Sequence, residues 1–348
     1  MRHFAFSACL ILGVALSALR GAAFEIEAFE RFGPADASAR IAVISTVDID
    51  LFAPVITEFM TQHPNLGIEY TVASSSQVKR AIEQGAAFDV AISSAMDLQM
   101  KLVNDGYAQS YQSVATGALP SWATWRDHLF AFTQEPAAIV LSRSYFEARA
   151  VPRSRQELIA VMRAHPDDFA GRVITYDLRQ SGLGYLFATQ DARSSEAYWR
   201  LTEVMGQAKA KLSCCSSDMI DAVAQGSALV AYNVLGSYAA ARRDAEAFVI
   251  LRPTDFETVM LRTAFIPSAA QNPKDAGKFI DTLIQRAMSE RPIFGQSFQT
   301  TAQDGTQDVP INRIRLGPSL LVYLDQYKRN KFLTSWEASI LQDPQPVD

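Results

Sequence analysis

The sequence predicts an α/β protein of two lobes, each a mostly parallel sheet flanked by helices, with a ligand cleft between the lobes. Two runs of alternating strand and helix patterns support this fold class, one starting near Ile41 and one near Ala137. The length of 348 residues fits two domains of about 150 residues each. Because no linker separates the runs, we expect the lobes to be joined by crossing strands.

The first run alternates three strands with three helices, which indicates a parallel sheet wrapped by helices. Asp50 is expected to cap the first helix. In chain order, the elements are predicted at 41–44, 52–60, 68–72, 78–82, 88–92 and 98–103.

The second run repeats this pattern, and its first helix opens on a capping box from Ser154 to Glu157. A later segment, 276–287, has the apolar spacing of a strongly amphipathic helix. The other strands and helices of this run are predicted at 138–141, 173–176, 183–189, 198–205, 219–225, 229–232 and 248–251.

The first 23 residues have the parts of a cleavable secretion signal. Arg2 and His3 form a basic start, residues 4–19 are apolar, and small residues precede a cut expected after Ala23. The apolar run is shorter than the roughly 20 residues that a spanning helix needs. We therefore expect a chain that works outside the cytoplasm. Its net charge of −5 argues against a nucleic-acid partner.

Sequence motifs of enzymes are scarce. There is no G-x-S-x-G, Walker A or H-E-x-x-H segment, so we predict a protein that is not an enzyme and needs no cofactor. The enzyme alternative is a secreted hydrolase with His63, His128 or His165 as its base. The adjacent Cys214 and Cys215 can close only a vicinal disulfide. Binding of a soft metal is the alternative for this pair, and we predict no metal site.

Hydroxyl groups follow all three strands of the first run, each directly before a helix. The carboxyl ends of parallel strands meet at one sheet edge, where ligands bind, and helix N-termini there favour anions. The alternative is that these side chains only cap the helices. The predicted ligand-binding residues of this lobe are Ser45, Thr46, Ser74, Ser75, Ser93 and Ser94.

The second lobe offers matching polar groups after its strands and before its helices. Aromatic, amide and hydroxyl groups side by side are common in binding clefts, although each of them is also a plausible cap or solvated side chain. The predicted ligand-binding residues of this lobe are Tyr176, Arg179, Ser181, Gly182, Ser216, Ser217, Tyr232, Asn233 and Tyr238.

Several segments, in this order, resemble the bacterial periplasmic solute-binding proteins of ABC transporters with the type 2 two-lobed fold. The resemblance is to the branch that holds ferric-ion, sugar-phosphate and phosphoglycerate binders, and it covers nearly the whole chain after residue 23. The segments are IAVIST at 41–46, FDVAISS at 88–94, GRVITY at 171–176, AVAQG at 222–226 followed by AYN at 231–233, and AFIP at 264–267 followed by NPKDA at 272–276.

The resemblance implies a periplasmic monomer whose lobes close on a small solute and deliver it to an inner-membrane ABC permease. Its lobes would be 24–134 with 252–348, and 135–251, with crossings near Glu135 and Arg252. A partner sensor kinase is the alternative. Ferric binders of this branch have adjacent tyrosines, whereas Tyr232 and Tyr238 are separated here. The hydroxyl-rich edges favour a small organic anion, phosphorylated or carboxylate.

Overall fold

The computed structural model describes residues 24–295, 297–298 and 310–342, which form two β-sheets with helices packed against them. The predicted signal peptide, residues 1–23, lies outside these ranges. In the described part of the chain, no helix is both long enough and apolar enough to cross a membrane.

The strands vary from two to eight residues. In chain order they are β1 Ala28–Phe32, β2 Ala39–Ser45, β3 Leu66–Val72, β4 Val90–Ser93, β5 Ala108–Gln109, β6 Thr124–Trp125, β7 Leu129–Ala131, β8 Glu135–Ser142, β9 Val173–Tyr176, β10 Lys211–Ser213, β11 Val230–Leu235, β12 Phe248–Leu251, β13 Glu257–Met260, β14 Thr263–Pro267 and β15 Ile311–Arg313.

Two short 3-10 helices, Ala245–Ala247 and Pro318–Leu324, accompany the α-helices. The α-helices are α1 Ile49–Gln62, α2 Ser75–Glu83, α3 Met96–Asn104, α4 Val114–Gly117, α5 Arg143–Phe146, α6 Arg155–Ala164, α7 Pro166–Phe169, α8 Gly182–Ser194, α9 Ala197–Gln207, α10 Ser216–Ala224, α11 Gly236–Ala240, α12 Pro273–Ala287 and α13 Gln326–Ile340.

The first sheet has the strand order β1-β3-β2-β4-β14-β7-β6, with β5 added on β14. Its β2 runs parallel to both β3 and β4, as the alternating pattern of the first run predicts. Strands β1 and β14 pair antiparallel with this trio, so the sheet is mixed. The carboxyl ends of the three parallel strands therefore meet at one edge.

The second sheet has the order β10-β9-β11-β8-β13-β15, with β12 on β8. Here β9 runs parallel to β10 and β11, while β8 is antiparallel to its neighbours. The register of β11 against β8 shifts between Ala231 and Val234, and Asn233 takes a φ of 64°. A bulge of this kind re-aims the side chains that it contains.

Local sequence signals explain several helix starts. The predicted capping residue Ser154 accepts a hydrogen bond from the Glu157 amide at the start of α6. Pro273 occupies the first turn of α12, where it needs no backbone partner. The expected cap of α1 by Asp50 is wrong, because the chain turns earlier: Asp48 is the N-cap and Asp50 lies in the first turn.

The chain passes from the first sheet to the second between β7 and β8 and returns between β13 and β14. The sequence placed the return near Arg252, whereas β12 and β13 both pair with β8 before the chain leaves the second sheet. The two crossing segments touch, since the Phe132 amide donates to the Arg262 carbonyl at 3.0 Å. The lobe boundaries themselves stay a prediction.

A fully buried ion pair joins the two crossings. Arg262 donates from Nε to Glu135 Oε1 at 2.9 Å and from Nη2 to Oε2 at 3.2 Å, and both side chains are 0% exposed. Thr133 Oγ1 and Ser237 Oγ also donate to this carboxylate. A buried charge is tolerated only when it is paired and hydrogen-bonded, and both conditions hold here.

The C-terminal segment contacts both lobes. The 3-10 helix Pro318–Leu324 packs on α3 of the first lobe, and α13 packs on α9 of the second. The Tyr185 hydroxyl of α8 donates to the Tyr323 carbonyl at 2.6 Å. This segment therefore connects the two lobes in addition to the crossing segments.

Candidate functional site

A cavity of about 80 Å³ lies between the lobes, at the carboxyl ends of the parallel strands. Five helices of nine or more residues begin at it: α1, α2 and α3 from the first lobe, and α8 and α10 from the second. The first N–H groups of a helix have no partner within the helix, and its start has a partial positive charge. At α2 and α8 one of these N–H groups is bonded by the N-cap side chain of Ser74 or Ser181. The strand–helix alternation of the sequence predicts that these helix starts lie close together, and they do.

Nine of the fifteen predicted ligand-binding residues line this cavity. They come from both lobes, and all of them carry a hydroxyl. The nine are Thr46, Ser74, Ser75, Ser94, Tyr176, Ser181, Ser216, Ser217 and Tyr238. Ser74 and Ser181 also accept hydrogen bonds as helix N-caps, so the capping alternative describes part of their role. An accepting hydroxyl still has a proton to donate.

The floor of the cavity is built around Thr46. Its Oγ1 accepts from the Ser94 amide at 3.2 Å and from Nη1 of Arg262 at 3.3 Å. The Ser94 hydroxyl lies 3.5 Å from the same oxygen. Because Arg262 belongs to the buried ion pair, the floor is tied directly to the crossing segments.

Ser45 and Ser93 face the opposite way from their neighbours and lie inside the first lobe. Ser45 Oγ accepts from the Val47 amide at 3.0 Å, and Ser93 Oγ accepts from the Ala95 amide at 3.1 Å. Both side chains are buried. Successive side chains of an extended chain point to opposite faces, so Thr46 and Ser94 reach the cavity while Ser45 and Ser93 do not.

The second-lobe wall centres on Tyr176 and Ser216, whose hydroxyls hydrogen-bond to each other. Ser216 Oγ also accepts from the Leu235 amide at 3.0 Å. Burial raises the pKa of Tyr176 and of Tyr238 well above the usual value. Both phenols therefore stay neutral and able to donate.

Hydrogen bonds cross the cleft at the rim of the cavity. Ser217 Oγ of the second lobe donates to Asp48 Oδ2 of the first at 3.0 Å. The Gly182 amide of the second lobe donates to Ser75 Oγ at 3.1 Å. The lobes are thus in contact around the cavity.

Three predicted residues lie elsewhere in the second lobe. Tyr232 and Asn233 both donate to the buried Asp191, at 2.7 and 2.8 Å, because the β11 bulge turns them into the lobe interior. Arg179 pairs with Asp177 at 2.7 Å and reaches Glu337 of α13. Its charge is thereby directed to an adjacent groove outside the cavity.

Sequence reasoning missed two carboxylates that line the cavity, Glu27 and Asp48. Burial raises the pKa of Glu27, and the nearby charges of Asp48, Glu25 and Asp218 raise it further. Glu27 precedes a short edge strand that has no strong pattern. Asp48 had a weak signal, since it directly follows the strand-end hydroxyls and precedes a helix.

Cys214 and Cys215 also line the cavity, and they are joined by a disulfide bond. Together with Asp218 they are the one group of three His, Cys, Asp or Glu ligand atoms within 4.8 Å of one another among the residues that the structure describes. Oxidised sulfurs offer no thiolate to a metal. The cavity lining includes no histidine, so His63, His128 and His165 all lie away from it.

Comparison with known proteins agrees with this geometry. Residues 47–288 match the family model of bacterial extracellular solute-binding proteins. The chain is similar to the substrate-binding protein of an ABC transporter from Agrobacterium tumefaciens, at 30% identity and a TM-score of 0.83, over 90% of this chain and 98% of that one. No curated protein sequence in the comparison matches the chain.

Two further solved structures share the fold at lower identity. AfuA from Actinobacillus pleuropneumoniae, solved with fructose-6-phosphate bound, has a TM-score of 0.68 at 13% identity, over 87% of this chain and 99% of that one. Iron-bound HitA from Pseudomonas aeruginosa has a TM-score of 0.63 at 11% identity, over 86% and 99%.

Proposed function

We propose, from the premise that this chain belongs to the bacterial extracellular solute-binding proteins, that its inter-lobe cavity captures a small organic anion bearing hydroxyl or amino groups. Members of this family are binding proteins of ABC transporters and not enzymes. They bind small ligands outside the cytoplasm and deliver them to a permease. The nature of the solute is our inference from the cavity.

The observation that carries the proposal is the meeting of five helix N-termini and a set of hydroxyls in one cavity. Free N–H groups and the partial positive charge of a helix start stabilise a phosphate or carboxylate. Hydroxyls of Thr46, Ser94 and Ser181 supply further donors. Arg262, whose charge is paired with Glu135, donates to Thr46 Oγ1 at 3.3 Å and so holds this hydroxyl at the floor of the cavity.

The two carboxylates restrict the class of solute. An anion without O–H or N–H groups, such as sulfate, would face Glu27 and Asp48 with no donor to offer them, and like charges repel. A solute with hydroxyl or amino groups can donate to these carboxylates while its anionic group lies at the helix starts. This favours a hydroxylated or aminated phosphate or carboxylate metabolite over an anion that has no donor group.

The proposal includes closure of the lobes about the paired crossings. The bonds Ser217–Asp48 and Gly182–Ser75 exist only when the lobes meet, so they favour the closed state. A monomer with residues 1–23 removed is the form that we propose to act. Presentation to a sensor kinase would use the same cavity, and in-cell crosslinking to a kinase instead of a permease would support that alternative.

A thermal-shift screen tests the solute class. We expect hydroxylated phosphorylated or carboxylated metabolites to raise the melting temperature, because a ligand that binds only the folded state stabilises it. Ser94→Ala should weaken binding of the best solute about ten-fold, which corresponds to about 1.4 kcal/mol for a lost hydrogen bond to an anion.

Ser93→Ala is the matched control, since that hydroxyl bonds the Ala95 amide inside the lobe. This variant should lower the stability of the protein and keep its affinity for the solute within about two-fold of that of the unchanged protein. Stabilisation by neutral solutes with no effect of any anion would show that the proposed class is wrong. Stabilisation by ferric ion alone would support the ferric alternative.

The pH dependence of binding tests the role of Glu27. An ionised Glu27 can accept from the solute, and its pKa is raised by burial and by neighbouring acids. Affinity should therefore fall as the pH is lowered through that raised pKa, starting above the range of an ordinary glutamate. Titration calorimetry between about pH 8 and about pH 5 measures this loss.

Glu27→Gln separates this effect from titration of the solute. The variant should bind about ten-fold more weakly near neutral pH and show only the pH dependence of the solute itself. Tighter binding by the variant would mean that Glu27 repels the solute instead of holding it.

A further inference from the structure

We propose that the Cys214–Cys215 disulfide is a redox-sensitive part of the solute site and that its reduction weakens solute binding. This rests on the proposed function, since it assigns a control to the same cavity. Both sulfur-bearing residues line the cavity, and Cys214 is exposed. Residues 24–348 contain no other cysteine, so a change of thiol state in the mature chain is confined to this site.

The disulfide lies directly before the residues that build one wall of the site. Cys215 is the N-cap of α10, and its carbonyl accepts from the Met219 amide at 3.3 Å. The next residue, Ser216, bonds Tyr176 and the Leu235 amide. Ser217 then donates across the cleft to Asp48 at 3.0 Å. The position of the disulfide therefore sets the position of two site hydroxyls.

A disulfide between adjacent cysteines closes a small ring that contains their peptide bond. The ring restricts rotation on both sides of that bond, which keeps the turn into α10 in one conformation. Opening it frees those rotations, and they must be ordered again when a solute binds, at about 1–2 kcal/mol per residue. The freed sulfurs must also move apart, in a cavity of only about 80 Å³.

The redox step is an ordinary thiol–disulfide exchange with a dithiol reductant. A thiolate of the reductant attacks one sulfur and forms a mixed disulfide, and its second thiol then displaces the protein. The protein gains two electrons and two protons as two thiols, while the reductant leaves as its own disulfide. Oxidation by a disulfide donor reverses each step.

The test compares oxidised and dithiothreitol-reduced protein, with residues 1–23 removed and thiols counted by mass spectrometry. We expect the dissociation constant of the best anion from the screen to rise at least about five-fold on reduction and to recover on reoxidation. The Cys214→Ser, Cys215→Ser double variant should bind like the reduced protein, and dithiothreitol should not change it.

Amide hydrogen exchange over residues 216–224, without solute, gives a second measurement. Reduction should speed exchange in the first turn of α10, including the Met219 amide, by at least about five-fold. Equal affinity of the oxidised and reduced forms would overturn the proposal. If the oxidised protein binds no anion, the proposed solute class is wrong. Hydrogen exchange then decides the disulfide proposal by itself, and equal exchange rates in the oxidised and reduced proteins would overturn it.

Discussion

Glu135→Gln should lower the free energy of unfolding by about 3–5 kcal/mol, because it leaves the charge of Arg262 buried without a partner. Both side chains are fully buried, and the carboxylate also accepts from Thr133 and Ser237. Arg262→Met should cost a similar amount, since Glu135 is then the unpaired charge. Urea denaturation followed by circular dichroism measures both.

The matched control is an exposed ion pair of the same type. Arg31 and Glu69 lie 3.0 Å apart with 66% and 31% of their side chains exposed. Arg31→Met should change stability by less than about 1 kcal/mol. An equal loss of unfolding free energy in Arg31→Met and Arg262→Met would mean that the buried pair of Arg262 and Glu135 does not stabilise the fold more than an exposed pair does.

Gly182→Leu should weaken solute binding at least about ten-fold and leave the free energy of unfolding within about 1 kcal/mol of the unchanged protein. A Cβ at Gly182 would lie 2.6 Å from Ser75 Oγ and 2.8 Å from Leu98 Cδ1, both in the opposite lobe. These clashes arise only when the lobes meet. The variant therefore acts against closure and leaves each lobe intact.

Gly117→Leu is the control for this substitution, because nothing lies within 4 Å of a Cβ at that position. It should bind like the unchanged protein. Titration calorimetry gives the affinities, and denaturation gives the stabilities. Undiminished affinity in Gly182→Leu would contradict the view that the solute is held by closed lobes.

The sequence predicted the fold well where patterns are local. Strands β9 and β12 and the parallel trio β2, β3 and β4 lie where the apolar patterns place them, because a buried strand or an amphipathic helix has a strong period. It did not predict β13, β15 or α13. Their pairing depends on distant partners such as β8 and α9, which no local pattern reveals.

The cavity was predictable to the extent that it follows from strand ends. Hydroxyls after parallel strands come together by topology, and nine predicted residues line the cavity. The sequence could not show which of two adjacent serines faces the cavity, as with Ser93 and Ser94. Nor could it show the β11 bulge, which turns Tyr232 into the interior of the second lobe. It also could not show that Glu27, next to an edge strand, reaches the cavity.

Native mass spectrometry of the purified protein, after incubation with a mixture of hydroxylated phosphorylated and carboxylated metabolites, tests the central claim most directly. We predict that the unchanged protein and Gly117→Leu each hold one small non-covalent anion, and that Gly182→Leu and Ser94→Ala lose most of it. The same bound fraction in all four proteins, or no bound anion in any, would contradict the assignment of the inter-lobe cavity as the solute site.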